Sequence, residues 1–455
     1  MRVGAVLWVG WLAACGEAAP GSPLVGASCA LEDDNALRLV CRVDRARPGP
    51  VTVTVQDAAP DSVPRVVTGW GTSVELVVWG LHPEVDATWV ATVDDGPDRE
   101  IRGVVRTGAL PDYLSVPPFL LSPGGATVDA VVLPYGCEGF DNLAMIDRDG
   151  HLIWYEDFGA YLSEPAGFNG HSLTADGIVA VMGREAVVEV GFDGIPRRVL
   201  QGGDLLHIAH HDAIRSGDLT YVISAALGTF DDGSTFVQDG VDVYDSGGWL
   251  ASWQLGEPFS LQDAPVVEVG YWAGMFQDAF DASHANGLAL DAADRLLVSL
   301  RHLDTVIALD GVAHGTPSLA WVLNGRPNDA VPAEQALAWT NDGAFELQHH
   351  PTPQPDGSIT LFDNGQGTSS RGVEIAIDPV AGTATEVASW PIDPACLVQG
   401  AFTKLPSGNG LLACATARRV IEVDPAGTLV WQMTPTCGAM PLGSGFARAL
   451  PVSLQ

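Results

Sequence analysis

Four histidines recur at the start of the first strand of a repeated hairpin, at His171, His211, His284 and His349. An imidazole titrates near neutral pH, so it can serve as a nucleophile, a general acid or base, or a metal ligand. One histidine at a strand start is usually a structural side chain. Four at the same repeat position predict a shared environment, and we expect these imidazoles to converge on one site.

Arginines recur just before the strand that follows the hairpin, at Arg184, Arg301, Arg371 and the pair Arg418 and Arg419. Guanidinium groups bind planar or tetrahedral oxyanions through paired hydrogen bonds. Together with the histidines they predict a local cationic pocket for a small anion such as sulfate, phosphate or a carboxylate. Salt bridges to acidic residues are the alternative, and they are favoured for Arg184, Arg418 and Arg419 taken alone.

Several imidazoles could also hold zinc or copper. The interleaved arginines would repel a dication, and the sequence contains no tight HxH pair. His210 and His211 are adjacent, but alternation along a strand predicts that they point to opposite faces. The sequence therefore predicts no metal site and no cofactor.

The elements that position these side chains belong to an internal repeat. Six copies of a strand with an acidic turn begin at Ala144, Val187, Val241, Val306, Val373 and Val420, and five of them follow a hairpin that begins at His171, His211, His284, His349 or Gln399. About four short strands per unit, roughly 45 to 65 residues apart, are typical of propeller blades, whose first strands line a central channel. We predict an all-β chain with a six-bladed β-propeller over residues 124–455, closed by strands from both chain ends.

The residues before the repeats form a second predicted domain. Short alternating runs between turns over residues 28–110 are typical of a small fibronectin- or immunoglobulin-like β-sandwich. Residues 111–123 contain Pro111, Pro117, Pro118 and Pro123 and are predicted to be a linker.

The N-terminus has the features of an export signal. Residues 1–15 combine Arg2, a short apolar run and Cys15, and Leu12-Ala13-Ala14-Cys15 resembles the lipobox of bacterial lipoproteins. Residues 16–27 are then a flexible tether, and the protein is an exported lipoprotein on the periplasmic or cell-surface side of the membrane, with the outer membrane favoured. An ordinary signal peptide is the alternative.

Cysteine usage agrees with export. Without Cys15, six of the seven cysteines remain, so up to three disulfides can form in an oxidising compartment. Cys29 and Cys41 are plausible partners because they are close in sequence, and the pairing of the other four stays open.

Composition limits the partners. Lys and Arg total 22 against 56 Asp and Glu, a formal net charge of -34. Such a surface repels nucleic-acid phosphates and anionic lipid head groups, so no nucleic-acid role is expected. Hydrophobic residues make up 47% of the chain, which is enough to bury a large core.

Several segments within the repeats match one protein family in order: HHDAI at 210–214, SHANGLALDAADRLLVSLR at 283–301, AFELQHHP at 344–351, ITLFDNG at 359–365 and LPSGNGLL at 405–412. In these motifs the sequence resembles the bacterial arylsulfotransferases, which use no nucleotide sulfate donor. The resemblance implies a six-bladed propeller behind an N-terminal β-domain. It also implies transfer of a sulfuryl group from a phenolic sulfate ester to a phenolic acceptor in two steps, through a sulfated histidine.

The resemblance assigns roles to particular residues. His349, which follows Gln348, matches the nucleophile, and His211, His284, Asn286 and Arg301 match the remaining catalytic set. Weaker candidates for substrate binding are His171, from the repeat alone, together with Arg371, His350 and Thr416. His350 is also the alternative nucleophile, should it be the inward-facing member of the pair.

Two rival functions remain open at this stage. One is a non-catalytic binding or adhesion propeller that has kept the scaffold, and the other is a metal-dependent propeller hydrolase. The aromatic segment 231–280, with Trp249, Trp253, Tyr271, Trp272 and Phe276, is a candidate lid or wall for a phenolic ring.

Overall fold

The computed structural model describes residues 16–17, 23–60, 62–94, 100–115, 119–121, 125–135, 142–163, 166–256, 258–264, 270–272, 274–276, 278–365, 369–434 and 448–454. The chain is all-β: the described ranges contain strands and short 3-10 turns only, the turns being Asp112–Leu114, Phe158–Tyr161, Gly202–Asp204, Leu261–Asp263, Arg301–Leu303 and Val312–His314. No helix in them is long and apolar enough to cross a membrane. The predicted signal segment 1–15, with Cys15, lies outside the described residues.

The chain divides into two compact units, the first of which ends at Ser115 apart from two short segments. Its strands form one hydrogen-bonded sheet: β1 (Gly16–Glu17), β2 (Leu24–Glu32), β3 (Asn35–Asp57), β4 (Arg65–Val78), β5 (Asp86–Thr92) and β6 (Glu100–Arg106). The long β3 pairs with β2 in its first half, with β5 in its second half and with β4 along both. Its buried side chains alternate with exposed ones, as expected for a sheet with one covered face.

The first unit confirms one prediction from the sequence and contradicts another. The disulfide between Cys29 and Cys41 is present and joins β2 to β3. The tether prediction for 16–27 is wrong for Gly16–Glu17, which pairs with Gly26 and Ala27, and for residues from Leu24 onward. Leu24 is fully buried, because its apolar side chain falls on the covered face of β2.

The described residues of the second unit form six largely antiparallel sheets, numbered here in chain order. Sheets 1 to 3 consist of β8 (Ala130–Pro134), β9 (Asn142–Asp147), β10 (Leu152–Asp157) and β32 (Leu450–Val452); β11 (Phe168–Leu173), β12 (Gly177–Met182), β13 (Ala186–Gly191) and β14 (Pro196–Gln201); and β15 (Ile208–Ser216), β16 (Leu219–Thr229), β17 (Thr235–Asp245) and β18 (Gly248–Gln254).

Sheets 4 to 6 follow the same plan. They consist of β19 (Ala285–Leu290), β20 (Leu296–Leu300), β21 (Thr305–Asp310) and β22 (Ser318–Asn324); β23 (Ala338–Trp339), β24 (His349–Pro353), β25 (Ile359–Asp363), β26 (Ser370–Asp378) and β27 (Thr383–Ile392); and β28 (Ala401–Lys404), β29 (Gly410–Cys414), β30 (Arg419–Val423) and β31 (Leu429–Thr434), joined by β7 (Phe119–Leu121). In sheet 5 the short β23 runs parallel to β27.

Strands from the beginning and the end of the second unit complete sheets 1 and 6, as the missing first hairpin predicts. β32 pairs with β8, and β7 pairs with β31. The linker prediction for 111–123 is therefore wrong at Phe119–Leu121, which is a strand.

Acidic residues form many of the turns between strands. In each of these turns the aspartate carboxylate accepts a hydrogen bond from the backbone N–H two residues later, at Asp147, Asp193, Asp232, Asp245, Asp291, Asp356, Asp378 and Asp424. Such Asx turns reverse the chain tightly, and a glycine with positive φ follows several of them. Part of the negative charge of the chain is thus explained by turn formation.

A buried ion pair joins the first strands of neighbouring sheets. The Arg448 guanidinium, just before β32, donates to both carboxylate oxygens of Asp212 on β15, each at 2.7 Å. It also donates to the carbonyl of His171 on β11, at 3.0 Å. Asp212 in turn accepts from the N–H of Leu288 on β19, at 2.8 Å. Sheets 1, 2, 3 and 4 are tied together by this pair.

We expect Arg448→Met to lower the free energy of unfolding by about 3–5 kcal/mol, because it leaves the buried Asp212 carboxylate without its cation. Denaturant unfolding of the purified protein measures the change. Arg197→Met, which removes a partly exposed pair with Asp193, is the control and should cost below about 1 kcal/mol. Equal losses in the two variants would contradict a special role for the Arg448 pair.

Candidate active site

The predicted catalytic residues come together at the first strands of sheets 3, 4 and 5. His211 lies on β15, His284 directly precedes β19, and His349 begins β24. The rings of His211 and His284 have centroids 4.7 Å apart. Arg301 occupies the 3-10 turn after β20, and its charge acts on all three imidazoles.

The four repeat histidines do not occupy equivalent positions in their strands, so the prediction from the sequence repeat is wrong on this point. Each first strand has an irregularity in its register, and the irregularities lie between Phe168 and Gly170, Ala209 and Ala213, Ala285 and Gly287, and His349 and Thr352. His171 therefore lies after the irregularity of its strand, and His211 lies within the irregularity of its own. His284 lies before the irregularity of its strand, and His349 is the first residue of the fourth irregularity. Local bulges shift the register by a residue or more, which repeat matching does not detect.

Strand alternation also fails at the adjacent histidine pairs. His211 and His350 have left-handed backbones, with φ of 54° each. This conformation interrupts the pleat, so neighbouring side chains need not point to opposite faces. His210 and His211 consequently touch, with their Nδ1 atoms 2.8 Å apart, and the expectation that they face apart is wrong.

Each of the three central histidines is held through its Nδ1 atom. Nδ1 of His349 lies 2.7 Å from Oδ1 of Asn364. Nδ1 of His284 lies 2.6 Å from Oδ2 of Asp281, and Nδ1 of His211 contacts His210. Because Nδ1 is engaged in each ring, Nε2 is the nitrogen that is available to react with or bind a ligand.

A buried polar network lies behind His211 and His284. Nε2 of His210 lies 3.2 Å from Asp239, which also accepts from the Ser283 hydroxyl at 2.6 Å and the Ala285 N–H at 2.7 Å. The ring of His302 stacks on that of His284, with centroids 4.5 Å apart. Its Nδ1 donates to the carbonyl of Asp281 at 2.8 Å. The network fixes the position of both catalytic candidates.

Burial and positive charge keep the histidines neutral. Burial, followed by the charge of Arg301, lowers the pKa of His349 to about 3, although the bond to Asn364 opposes the shift. Burial and neighbouring charges also hold the pKa values of His211 and His284 well below the ordinary value. Burial and the nearby Asp239 raise the pKa of Asp281 to about 7. The site therefore presents unprotonated imidazoles beside a buried guanidinium.

Asn286 and Gln348 bridge neighbouring strands. The Asn286 side chain donates to the backbone carbonyl of Gln348 at 2.8 Å. The Gln348 side chain is fully buried and donates to Thr305 O at 2.8 Å and to the Ser299 hydroxyl at 3.0 Å. These bonds fix the backbone on which His349 sits.

The weaker candidates divide into two groups. His171 and His350 are near Arg448, and burial with that charge lowers the pKa of each to about 3. Arg371 is committed to Asp363 and Glu386, at 3.0 and 2.6 Å, and Thr416 lies against the Cys396–Cys414 disulfide. Arg371 therefore matches the salt-bridge alternative.

The aromatic segment contributes a wall beside the histidines. The ring of Tyr271 lies 4.6 Å from that of His211 and 5.2 Å from that of His284, between centroids. The Arg184 guanidinium covers the rings of Tyr271 and Trp272, at 4.5 and 4.9 Å. Trp249, by contrast, is 53% exposed. Tyr271 is therefore already packed against both the Arg184 guanidinium and the His211 ring, as a fixed part of this wall.

One group in the described part of this site has the composition of a metal centre, namely Asp281, His284 and His302. Two of its potential ligand atoms are already joined, because Asp281 Oδ2 and His284 Nδ1 form the 2.6 Å bond. The charge of Arg301 also acts on both histidines and would oppose a dication. These residues fit a hydrogen-bonded acid–base pair better than a metal site.

Sequence reasoning missed several residues that support the catalytic set: Asp239, Asp281, His302, Asn364 and Arg448. Asp281 stands three residues before His284, and Asn364 lies within the FDNG motif, so both were visible as local signals. Asp239, His302 and Arg448 had no such signal, because their partners are distant in sequence or on another strand.

One of the comparisons with known proteins identifies a family. The sequence model of the family described as Arylsulfotransferase (ASST) matches residues 131–393, whereas no curated protein sequence matches the chain. Among solved structures, a protein of unknown function from Bacteroides caccae has 12% identity over 67% of this chain and 93% of its own, with a TM-score of 0.39. A virginiamycin B lyase from Staphylococcus aureus has 9% identity over 69% and 87%, with a TM-score of 0.36.

Likenesses with TM-scores of this size carry no functional inference. The family match is different in kind, since it spans more than half of the chain and includes every residue of the histidine cluster from His210 to His349 together with Arg301 and Asn364. By that match, the chain belongs to the arylsulfotransferase family.

Proposed function

We propose that this protein is an aryl-sulfate sulfotransferase that moves a sulfuryl group from a phenolic sulfate ester to a phenolic acceptor through a sulfated His349. The observation that carries the proposal is the state of His349. Its Nδ1 is bound to Asn364, its Nε2 makes no hydrogen bond among the described residues, and its low pKa keeps the ring unprotonated. A neutral imidazole beside Arg301 is a competent nucleophile toward an anionic ester.

In the first half-reaction, Nε2 of His349 attacks sulfur, an N–S bond forms and the S–O bond to the aryl group breaks. The leaving group departs as a phenolate and takes up a proton, which comes from solvent in the first turnover and from the imidazolium formed in the second half-reaction in later turnovers. Arg301 supports this step by attracting the sulfuryl oxygens, whose charge persists through the transfer. Aromatic contact with the wall that contains Tyr271 would hold the phenolic ring beside the histidines.

In the second half-reaction, an acceptor phenol gives its proton to an imidazole while its oxygen attacks sulfur and the N–S bond breaks. His284 is the better placed base, because Asp281 at its Nδ1, when ionised above its pKa of about 7, stabilises the imidazolium that forms. The proton taken up by His284 is available for the next leaving phenolate. His349 returns to its neutral form when the N–S bond breaks, so the cycle balances.

We extend the proposal to architecture and location. The six sheets are interpreted as the blades of a six-bladed propeller, and the first unit as a fibronectin- or immunoglobulin-like β-sandwich. The pairing of β7 with β31 and of β32 with β8, which joins the beginning of the second unit to its end, supports the first interpretation. The disulfides Cys29–Cys41 and Cys396–Cys414 support an oxidising compartment, in keeping with an exported lipoprotein anchored through Cys15.

We expect His349→Ala to abolish transfer from 4-methylumbelliferyl sulfate to phenol, with a loss on the order of 10³-fold or more, because no nucleophile remains. Fluorophore release measures activity, and intact mass after brief exposure to the donor alone should show one sulfuryl group on the wild type. His314→Ala, at an exposed turn, is the control and should retain both signals. Sulfation that persists in His349→Ala would assign the nucleophile elsewhere, with His350 the first candidate.

We expect the rate of sulfohistidine formation to change less than about twofold between about pH 5.5 and about pH 7.5. A histidine with the ordinary pKa of about 6.5 would lose about tenfold in its neutral fraction over this range. His349 has a pKa of about 3 and stays neutral throughout. Mass spectrometry of single turnovers quenched in alkaline denaturant, which preserves the acid-labile N–S bond, gives the rate. A tenfold fall at the lower pH would contradict a neutral, buried nucleophile.

We expect Cys15→Ala to remove the lipid anchor, because the thiol that carries the lipid is absent. Labelling of growing cells with a radioactive or clickable fatty acid tests this, followed by membrane fractionation. Cys29→Ala is the matched cysteine control and should still take up label. Equal labelling of Cys15→Ala and the wild type would favour the ordinary signal peptide.

A further inference from the structure

Asn364 contacts His349 from a fully buried position directly after β25. Its Oδ1 atom lies 2.7 Å from Nδ1 of His349. Its Nδ2 group donates to two backbone carbonyls, those of Cys396 at 2.9 Å and Gln399 at 2.7 Å. A carbonyl only accepts, so a flipped amide would set its own oxygen against two other oxygens. The amide orientation is therefore determined by its surroundings.

The orientation of Asn364 determines the tautomer of His349. Because the amide oxygen can only accept, Nδ1 of His349 must carry the hydrogen. In the neutral ring the other nitrogen, Nε2, then holds the lone pair. The opposite tautomer would place two lone pairs against each other at Nδ1 and leave none at Nε2 for attack on sulfur.

The cradle around Asn364 is itself held by several bonds. The Ser370 hydroxyl donates to the Asn364 carbonyl at 2.7 Å and accepts from the Cys396 N–H at 2.8 Å. A disulfide joins Cys396 to Cys414 at the end of β29. Both acceptors of the Asn364 amide thus lie on a segment tied to sheet 6, while Asn364 follows a strand of sheet 5.

The partner of His349 differs from that of His284 in charge. His284 bonds to the carboxyl group of Asp281, which is ionised above its pKa of about 7, whereas His349 bonds to an amide that is neutral at every pH. A carboxylate would stabilise the positive ring that sulfation creates at His349 and would therefore slow release of the sulfuryl group to the acceptor. An amide fixes the same tautomer without adding this stabilisation.

We propose that Asn364 is a positioning residue that fixes the Nδ1–H tautomer of His349 and, being uncharged, keeps the sulfated histidine reactive. The second half of this inference rests on the proposed sulfotransferase function, and the first half does not. Asn364 influences both half-reactions. In the first, the N–S bond forms as the aryl S–O bond breaks, and in the second the N–S bond breaks as the acceptor S–O bond forms.

The tautomer is tested without any substrate. In protein labelled with ¹⁵N-histidine, long-range proton–nitrogen correlation identifies which ring nitrogen of His349 carries hydrogen, with His349→Gln giving the assignment. We expect Nδ1–H in the wild type and in the control Asn341→Leu, which alters an exposed asparagine. We expect loss of this preference in Asn364→Leu. An Nε2–H ring in the wild type would overturn the proposal whatever the enzyme does.

The reactivity is tested by quenched intact-mass kinetics with 4-methylumbelliferyl sulfate, first alone and then with phenol. Asn364→Leu should slow sulfation on the order of 10- to 100-fold, as is typical when a group that orients a reactive histidine is lost. Asn364→Asp keeps an acceptor at Nδ1, so it should still form the sulfohistidine, but phenol should discharge it at least about tenfold more slowly than in the wild type.

The two claims fail in different ways. An Asn364→Asp intermediate discharged as fast as the wild type would overturn the role of the neutral amide. An Nδ1–H tautomer in a wild type that never becomes sulfated would leave the positioning role standing and count against the proposed function. If Asn364→Leu does not fold, the tautomer of the wild type and the kinetics of Asn364→Asp still decide both points.

Discussion

The ion pair between Arg448 and Asp212 is the constraint on which the arrangement of the first strands depends. It is almost fully buried, with 4% and 0% of the two residues exposed. A charge in such a place is stable only if its partners are correctly placed, so the pair specifies where β15 and β11 lie relative to the segment before β32. The first strands that it joins carry or adjoin His171, His211 and His284.

Each of the three central histidines is oriented by a residue that contacts its Nδ1 atom. An imidazole, a carboxylate and an amide hold His211, His284 and His349 respectively. All three orient the ring, but they differ in how readily they stabilise a positive charge on it. Similar histidines can therefore be given different chemistry by the residue behind each one. Arg301, buried among them, adds the positive charge that an incoming sulfate ester would meet.

The acidic composition and the cationic site are compatible because the charges are used in different places. Many aspartates accept backbone N–H groups in turns, and others pair with arginines, as Asp212 does with the buried Arg448 and Asp363 with the half-buried Arg371. The exterior can therefore be acidic while a few cations remain concentrated near the histidines. The salt-bridge explanation of the recurring arginines holds for Arg371. Arg301 instead lies among the histidines of the site, and the sequence pattern alone did not separate the two.

The sequence by itself determined the all-β class, the repeating strands with acidic turns, the family motifs and the Cys29–Cys41 pair. These depend on local alternation, turn chemistry and spacing, which one stretch of chain contains in full. The convergence of His211, His284, His349 and Arg301 was also predictable, because it follows from repetition and from the family motifs.

Only the tertiary structure decided how each side chain is oriented and what it bonds to. Bulges and left-handed residues at His211 and His350 changed the register and interrupted the alternation on which the sequence prediction relied. The contacts of Asn364 with Cys396 and of Arg448 with Asp212 join residues 32 and 236 positions apart. Such pairs follow from the packing of whole sheets against one another, which no local pattern in the chain encodes.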